Sequence, residues 1–191
     1  MQTNFLDISY LVNGNQKQKQ AYEVLKRTKV FSLLASYNPI LVGTIPIGID
    51  IQKSDLDIVC DFKEVELFAQ VLSSDFSGYP DFHIRKKSTS LLVANFFMEE
   101  FEIEIYASQI PSMQTNGYRH MIIEWRLLNL LGNTFKEEVV KLKQQGIKTE
   151  PAFGQLLKLW GNPYEELLKL ENLSDKELKQ LYKDRNKTSI K

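Results

Sequence analysis

Three strand-like runs, "FHIRKK", "LLVANFF" and "FEIEIYA", follow one another between residues 82 and 107. Only "STS" and "MEE" separate them, and both read as turns. The middle run is almost wholly apolar, which places it inside a sheet. From about residue 113 the pattern is helical to the end. A chain ordered this way belongs to the α+β class: a mixed β-sheet flanked by helices, with a helical C-terminal third. The expected organisation is an α/β core over 1–110 and a helical subdomain over 111–191 packed on it.

The remaining segments complete this outline. Residues 15–36 form an amphipathic pattern, with Ala21, Val24, Leu25, Thr28 and Phe31 at helical spacing. Pro39 stops it, because proline disfavours helix in the residue before it. "ILVG" and "LDIVC" read as short strands, and "EVELFAQVLSS" as a helix. Farther on, helices are expected to stop at Gly132 and Gly146, both read as C′ glycines. Thr149-Glu150-Pro151 marks a helix start. Asn162 with Glu165, and Ser174 with Glu177, have the spacing of capping boxes. Residues 184–191 are expected to fray.

The chemistry concentrates in "LVGTIPIGIDIQKSDLDIVCDF", residues 41–62. Strand side chains alternate between faces, so Leu56, Ile58 and Cys60 point into the core while Asp55, Asp57 and Val59 share the other face. The two carboxylates then lie about 7 Å apart along one edge, within reach of one metal ion. "FEIEIYA" repeats the alternation with Glu102, Glu104 and Tyr106. If that strand lies beside the aspartate strand, a third carboxylate joins. Three acids with no basic neighbour repel, and a hard divalent cation such as Mg²⁺ relieves this best. The chemistry favoured is phosphoryl or nucleotidyl transfer. Gly43 lets backbone approach a phosphate closely. Thr44 is expected to cap a short helix facing an anion, with Pro46 in its first turn.

These residues resemble the nucleotidyltransferases of the DNA polymerase β superfamily, above all the minimal and antibiotic nucleotidyltransferases. Their pattern runs Gly-Ser-x-Ala-x-Gly and then Ser-Asp-(Ile/Leu)-Asp. "GTIPIGIDIQKSDLD" matches at Gly43, Gly48, Ser54, Asp55 and Asp57. Thr44 stands for serine, Pro46 for a small residue, and Ile45 and Ile47 where basic residues are frequent. The resemblance implies Asp55 and Asp57 as ligands of Mg²⁺ or Mn²⁺, with Gly43, Thr44 and Ser54 facing the nucleotide. It implies Glu104 as the third acid and metal ligand, helping to activate the acceptor hydroxyl. Glu102 competes for that role; Glu104 is preferred because it lies deeper in the strand. "GTIPIGID…SDLDI", "YRHM" and "IKTEPAF" also resemble a bacterial family known as a domain of unknown function, across most of residues 13–182.

Other polar residues are open to two readings. His83, Arg85 and Lys87 share a strand face and could meet a triphosphate or nucleic-acid backbone, or simply protect an edge strand. Arg119 and His120, at the start of the long helix, could reach acceptor or phosphates, or belong to a surface network in which His120 pairs with Glu124. Lys148 is a candidate phosphate contact. Cys60 continues a core face, and Trp125 and Trp160 read as packing residues, with base stacking as the alternative for Trp160.

Bulk properties narrow the function. Formal net charge is zero, so no global field draws long nucleic acid or anionic membrane. A single cysteine excludes an intramolecular disulfide and a cysteine-based metal site. No signal peptide and no membrane-spanning run are read, so the expected location is cytoplasmic. The expected activity is metal-dependent transfer of a nucleoside monophosphate from a nucleoside triphosphate, such as ATP, to a hydroxyl of a small molecule or protein. The alternatives are a catalytically inactive nucleotide-binding or protein-interaction module and a toxin–antitoxin component.

Overall fold

The computed structural model describes residues 3–186. It has the expected α+β architecture. Five strands form one mixed sheet in the order β1-β2-β5-β4-β3. They are β1 (Ile40–Val42), β2 (Leu56–Asp61), β3 (His83–Ser88), β4 (Leu91–Met98) and β5 (Phe101–Ser108). β2 and β5 pair in parallel; the other three pairings are antiparallel. The apolar run is β4, which lies inside the sheet between β5 and β3. The β4–β5 turn holds Glu99 at φ 55, a left-handed conformation of the kind two-residue hairpins demand.

One face of the sheet is core. Leu41, Leu56, Ile58, Cys60, Leu92, Ala94, Phe96, Ile103 and Ile105 cluster there with Ala21, Val24 and Leu25 of α1 (Gln16–Arg27). Phe68, Leu72 and Phe76 of α3 (Val65–Phe76) join them. Each large apolar side chain buried this way contributes about 1.5–3 kcal/mol. Cys60 behaves as a small hydrophobe, and burial pushes its thiol well above the usual range.

The expected single helix over 15–36 is interrupted. α1 ends where Thr28 Oγ1 donates back to the Val24 carbonyl at 2.7 Å. Lys29 then takes φ 56, and the chain continues as α2 (Val30–Leu33) and a 3₁₀ turn (Ala35–Tyr37). The break rephases the apolar face: Val30 and Leu34 are fully buried, while Phe31 is only half-buried.

The rest is helical: α4 (Asn116–Leu131), α5 (Asn133–Gln144), α6 (Thr149–Leu156), α7 (Pro163–Lys169) and α8 (Asp175–Asn186). Gly146 has φ 89, and both Schellman bonds are made, Gly146 N–H to Lys143 at 2.9 Å and Ile147 N–H to Leu142 at 3.1 Å. Ser174 and Glu177 form the reciprocal box. Asn162 caps Tyr164, but Glu165 meets its side-chain amide rather than its backbone. Residues 184–186 continue α8, and the rest of the segment expected to fray lies outside the described residues.

The chain divides into two units, Met1–Gly48 with Lys53–Tyr118, and Ile49–Gln52 with Arg119–Lys191. The first holds the sheet. In the second, Phe135 packs edge-on against Phe153 (5.6 Å) and Tyr182 (5.5 Å). No helix among the described residues is long and apolar enough to cross a membrane.

Candidate active site

The second face of the sheet carries the polar residues. Cross-strand partners form one row: Val42 on β1, Asp57 on β2, Glu104 on β5, Asn95 on β4 and His83 on β3. Directly opposed residues in a sheet point to the same side, with strands about 4.8 Å apart. "FEIEIYA" therefore does lie beside the aspartate strand. Glu104 stands next to Asp57 and is half-buried; Glu102 is exposed and stands opposite Phe97. Asp55 is exposed, one residue ahead of β2.

Gly43 follows β1 and turns the chain over Asp57. Its φ is +81, and a Cβ built on it would stand 2.5 Å from Asp57 Oδ2. Two constraints thus select glycine: the left-handed backbone and the carboxylate pressed against it. Thr44 Oγ1 and Ser54 Oγ lie 3.1 Å apart, tying the two ends of the loop together. Residues 44–48 form a turn, not the short helix expected. Gly48 N–H bonds the Ile45 carbonyl at 3.1 Å, with Pro46 in the second position and Gly48 at φ 68. Proline favours that turn position. Ile45, Pro46 and Ile47 are buried, so they anchor the turn to the core instead of offering basic groups to a ligand.

Gln18 holds this turn in place, a role its sequence context does not announce. Its Nε2 donates to the Ile45 carbonyl at 2.8 Å and the Pro46 carbonyl at 3.2 Å. Its Oε1 accepts from Asn15 N–H at 2.8 Å, completing the cap of α1. A Cβ at Gly14 would meet that oxygen at 2.1 Å, so Gly14 is there to admit the amide. The only local signal is the capping-box spacing of Asn15 and Gln18.

Asn95 is the second residue that escaped. It is 6% exposed. Arg85 donates to its Oδ1 at 2.8 Å, and its Nδ2 donates to Glu104 Oε2 at 3.2 Å. Of the basic strand residues, Arg85 thus faces the carboxylate row. Lys87 does not share its alternation: the β3–β4 register shifts between Lys86 and Ser88, and a bulge breaks the period.

Asp57 and Glu104 supply the oxygen donors that a hard divalent cation takes. Among the described residues no three His, Cys, Asp or Glu side chains come together as a ready cage. Mg²⁺ rarely uses one; it is held by one or two carboxylates, water and substrate phosphates. The donor set fits that mode, and Gly43 lets the backbone lie against the Asp57 carboxylate, where a Cβ would clash with Oδ2 at 2.5 Å.

Arg119 and His120 are engaged within the helical unit. Arg119 pairs with Glu171 through Nη2 and through Nε at 3.2 Å. His120 is buried, its Nε2 2.8 Å from the Tyr164 carbonyl and its Nδ1 3.6 Å from Glu150 Oε1. Glu124, open to pairing with His120 in a surface network, is instead buried, and its Oε1 has no hydrogen-bond partner among the described residues. Burial pushes its carboxyl well above the usual range; Glu150 adds to this and Lys143 opposes it. Lys148 is exposed ahead of α6. Trp125 is half-buried, but Trp160 is 87% exposed and is not a packing residue. A cavity of about 650 Å³, lined by Ile8, Phe31, Ile40, Asp61 and Met113 among others, contains none of the candidate residues.

The family described as "Domain of unknown function (DUF4269)" matches residues 23–170. The chain belongs to it. No curated protein matches this DUF4269 chain. Among solved structures it is similar to Cid1, described as having RNA terminal uridylyl transferase activity: TM-score 0.58, 11% identity, 78% of this chain and 52% of that one. A cytoplasmic RNA terminal U-transferase gives TM-score 0.55 at 12% identity, over 78% of this chain and 50% of that one. A chain of the GLD-2/RNP-8 complex gives 0.54 at 11%, over 92% and 80%. The DUF4269 chain spans about half the length of the first two. At these identities the likeness shows the fold, which is that of the nucleotidyltransferases.

Proposed function

We propose that this chain is a divalent-metal-dependent nucleotidyltransferase. A single relationship carries the reading: the Gly43 backbone bends against the Asp57 carboxylate, with Glu104 as the neighbour of Asp57 in the sheet. Asp57 and its sheet neighbour Glu104, with Asp55 two residues ahead of Asp57, would hold Mg²⁺ or Mn²⁺. When bound, the ion would neutralise charge developing on the phosphoryl oxygens. Gly43 gives the nucleoside triphosphate a bend without side-chain bulk, and Thr44 and Ser54 would offer it hydroxyls. Glu104 takes the proton of an acceptor hydroxyl. The acceptor oxygen bonds to the α-phosphorus as the bond to the β-phosphate oxygen breaks, and pyrophosphate leaves. Solved forms of the similar Cid1 poly(U) polymerase carry MgGTP and Mg 3′-dATP, which supports a nucleotide partner here.

The acceptor is a small molecule or a protein hydroxyl. The neutral composition argues against long RNA, although RNA is what the uridylyl transferases are described as using. The proposed location is cytoplasmic. The test is pyrophosphate release or label transfer from each nucleoside triphosphate with Mg²⁺ or Mn²⁺ and a panel of acceptors. Activity should vanish in Asp57→Asn. Metal-dependent binding without transfer would favour the nucleotide-binding module instead.

A further inference from the structure

We propose that Asn95, oriented by Arg85, is a positioning residue that fixes the carboxylate of Glu104 for its work as the third acid. The inference rests on the nucleotidyl-transfer reading for its catalytic consequence, but not for the contact chain itself. That chain runs Arg85 Nη2 to Asn95 Oδ1 at 2.8 Å, then Asn95 Nδ2 to Glu104 Oε2 at 3.2 Å.

Three observations single it out. First, Asn95 is a buried amide on an interior strand whose neighbours are Val93, Ala94, Phe96 and Phe97. A polar group at such a position is costly unless both of its ends are bonded, and here both are. Second, the amide can sit only one way. Arg85 is a donor alone and claims the oxygen; Glu104 Oε2 accepts and claims the nitrogen. Third, Arg85 makes no ion pair among the described residues, whereas Arg27, Arg119 and Arg126 are each bonded to a carboxylate. Arg85 therefore presents its charge to Glu104 through the amide rather than directly. A direct Arg–Glu pair would compete with a cation for the same oxygens; an interposed amide orients the carboxylate and leaves its charge available. With Oε2 engaged by Asn95, Oε1 is the oxygen turned to the acceptor proton.

Two measurements test this together. The first needs no activity: hydrogen exchange of the Asn95 side-chain amide, followed by NMR. Exchange should be slow in the wild type and about tenfold or more faster in Arg85→Met and in Glu104→Ala. Equal rates in all three would overturn the relay whether or not the protein transfers nucleotides. The second is steady-state transfer. In Asn95→Ala, kcat should fall about 10- to 100-fold with KM for the nucleotide within about twofold. Arg85→Met should lose less, and Arg85→Lys should recover at least half of that loss. A kcat unchanged in Asn95→Ala, or a loss appearing wholly in KM, would overturn the positioning role. A wild type with protected amide and no transfer would sink the enzymatic reading while leaving the contact chain standing.

Discussion

Gly43 and Asp57 occupy nearly the same space: a methyl group on the first would stand 2.5 Å from Oδ2 of the second. The glycine is also at φ +81, where L side chains are strained. Gly43→Ala should therefore cost about 1–2 kcal/mol of stability and displace the carboxylate as well. A displacement near 1 Å at a reacting centre lowers rates about 100-fold. Chemical denaturation and transfer kinetics on the same variant separate the two effects. A variant that loses stability but keeps full kcat would show that the Asp57 position is not critical.

Gln18 should matter out of proportion to its place on a surface helix. It bonds three backbone groups, at Asn15, Ile45 and Pro46. Gln18→Ala takes the side-chain donor from both carbonyls; Ile45 keeps the Gly48 N–H and Pro46 does not, at a cost of about 1–3 kcal/mol. Gln18→Glu keeps the cap but sets an acceptor against those carbonyls. It should be at least as destabilising at neutral pH and recover on acidification, as the carboxyl becomes a donor. Urea denaturation of both variants at two pH values checks this.

Glu124 gives the helical unit a pH dependence of defined sign. Burial, with Glu150 adding and Lys143 opposing, raises its carboxyl above the ordinary value of 4.5. The folded state thus holds the proton more tightly than the unfolded one. Its contribution is fully present below about pH 4.5 and is lost as pH rises toward the elevated value. Glu124→Gln removes the titration. The Tm of the wild type minus that of Glu124→Gln should fall as pH rises from 4.5. A flat difference would mean that Glu124 is not buried as described.

Gly146 offers a purely conformational test. It sits at φ 89, and a Cβ there would meet nothing within 4 Å. Gly146→Ala should cost about 1 kcal/mol from backbone strain alone. A thermal melt that leaves Tm unchanged would argue against the left-handed cap.

Period two made the sheet legible. "SDLDIVC" and "FEIEIYA" alternate cleanly, so the core and carboxylate faces could be read before any register was known. The glycine stops at 132 and 146 were legible for a similar local reason. What escaped depends on partners distant in sequence. Gln18 reaches residues 27 and 28 positions away, and nothing near it signals the Ile45 and Pro46 carbonyls. Asn95 looked like one polar residue in an apolar strand until register put it between Arg85 and Glu104. The break at Lys29 escaped because the apolar spacing runs on past it, and tertiary packing selects a different set of buried residues. Trp160 sits in a loop, where no period reports which side faces water.

The most direct measurement is calorimetric titration of a nucleoside triphosphate into the wild type and Asp57→Asn, each with and without Mg²⁺. Saturable binding is expected only in the wild type with metal, because Asp57 and the phosphates would share the ion. Binding that is indifferent to Mg²⁺, or that survives intact in Asp57→Asn, would contradict a metal-centred nucleotide site at Gly43 and Asp57.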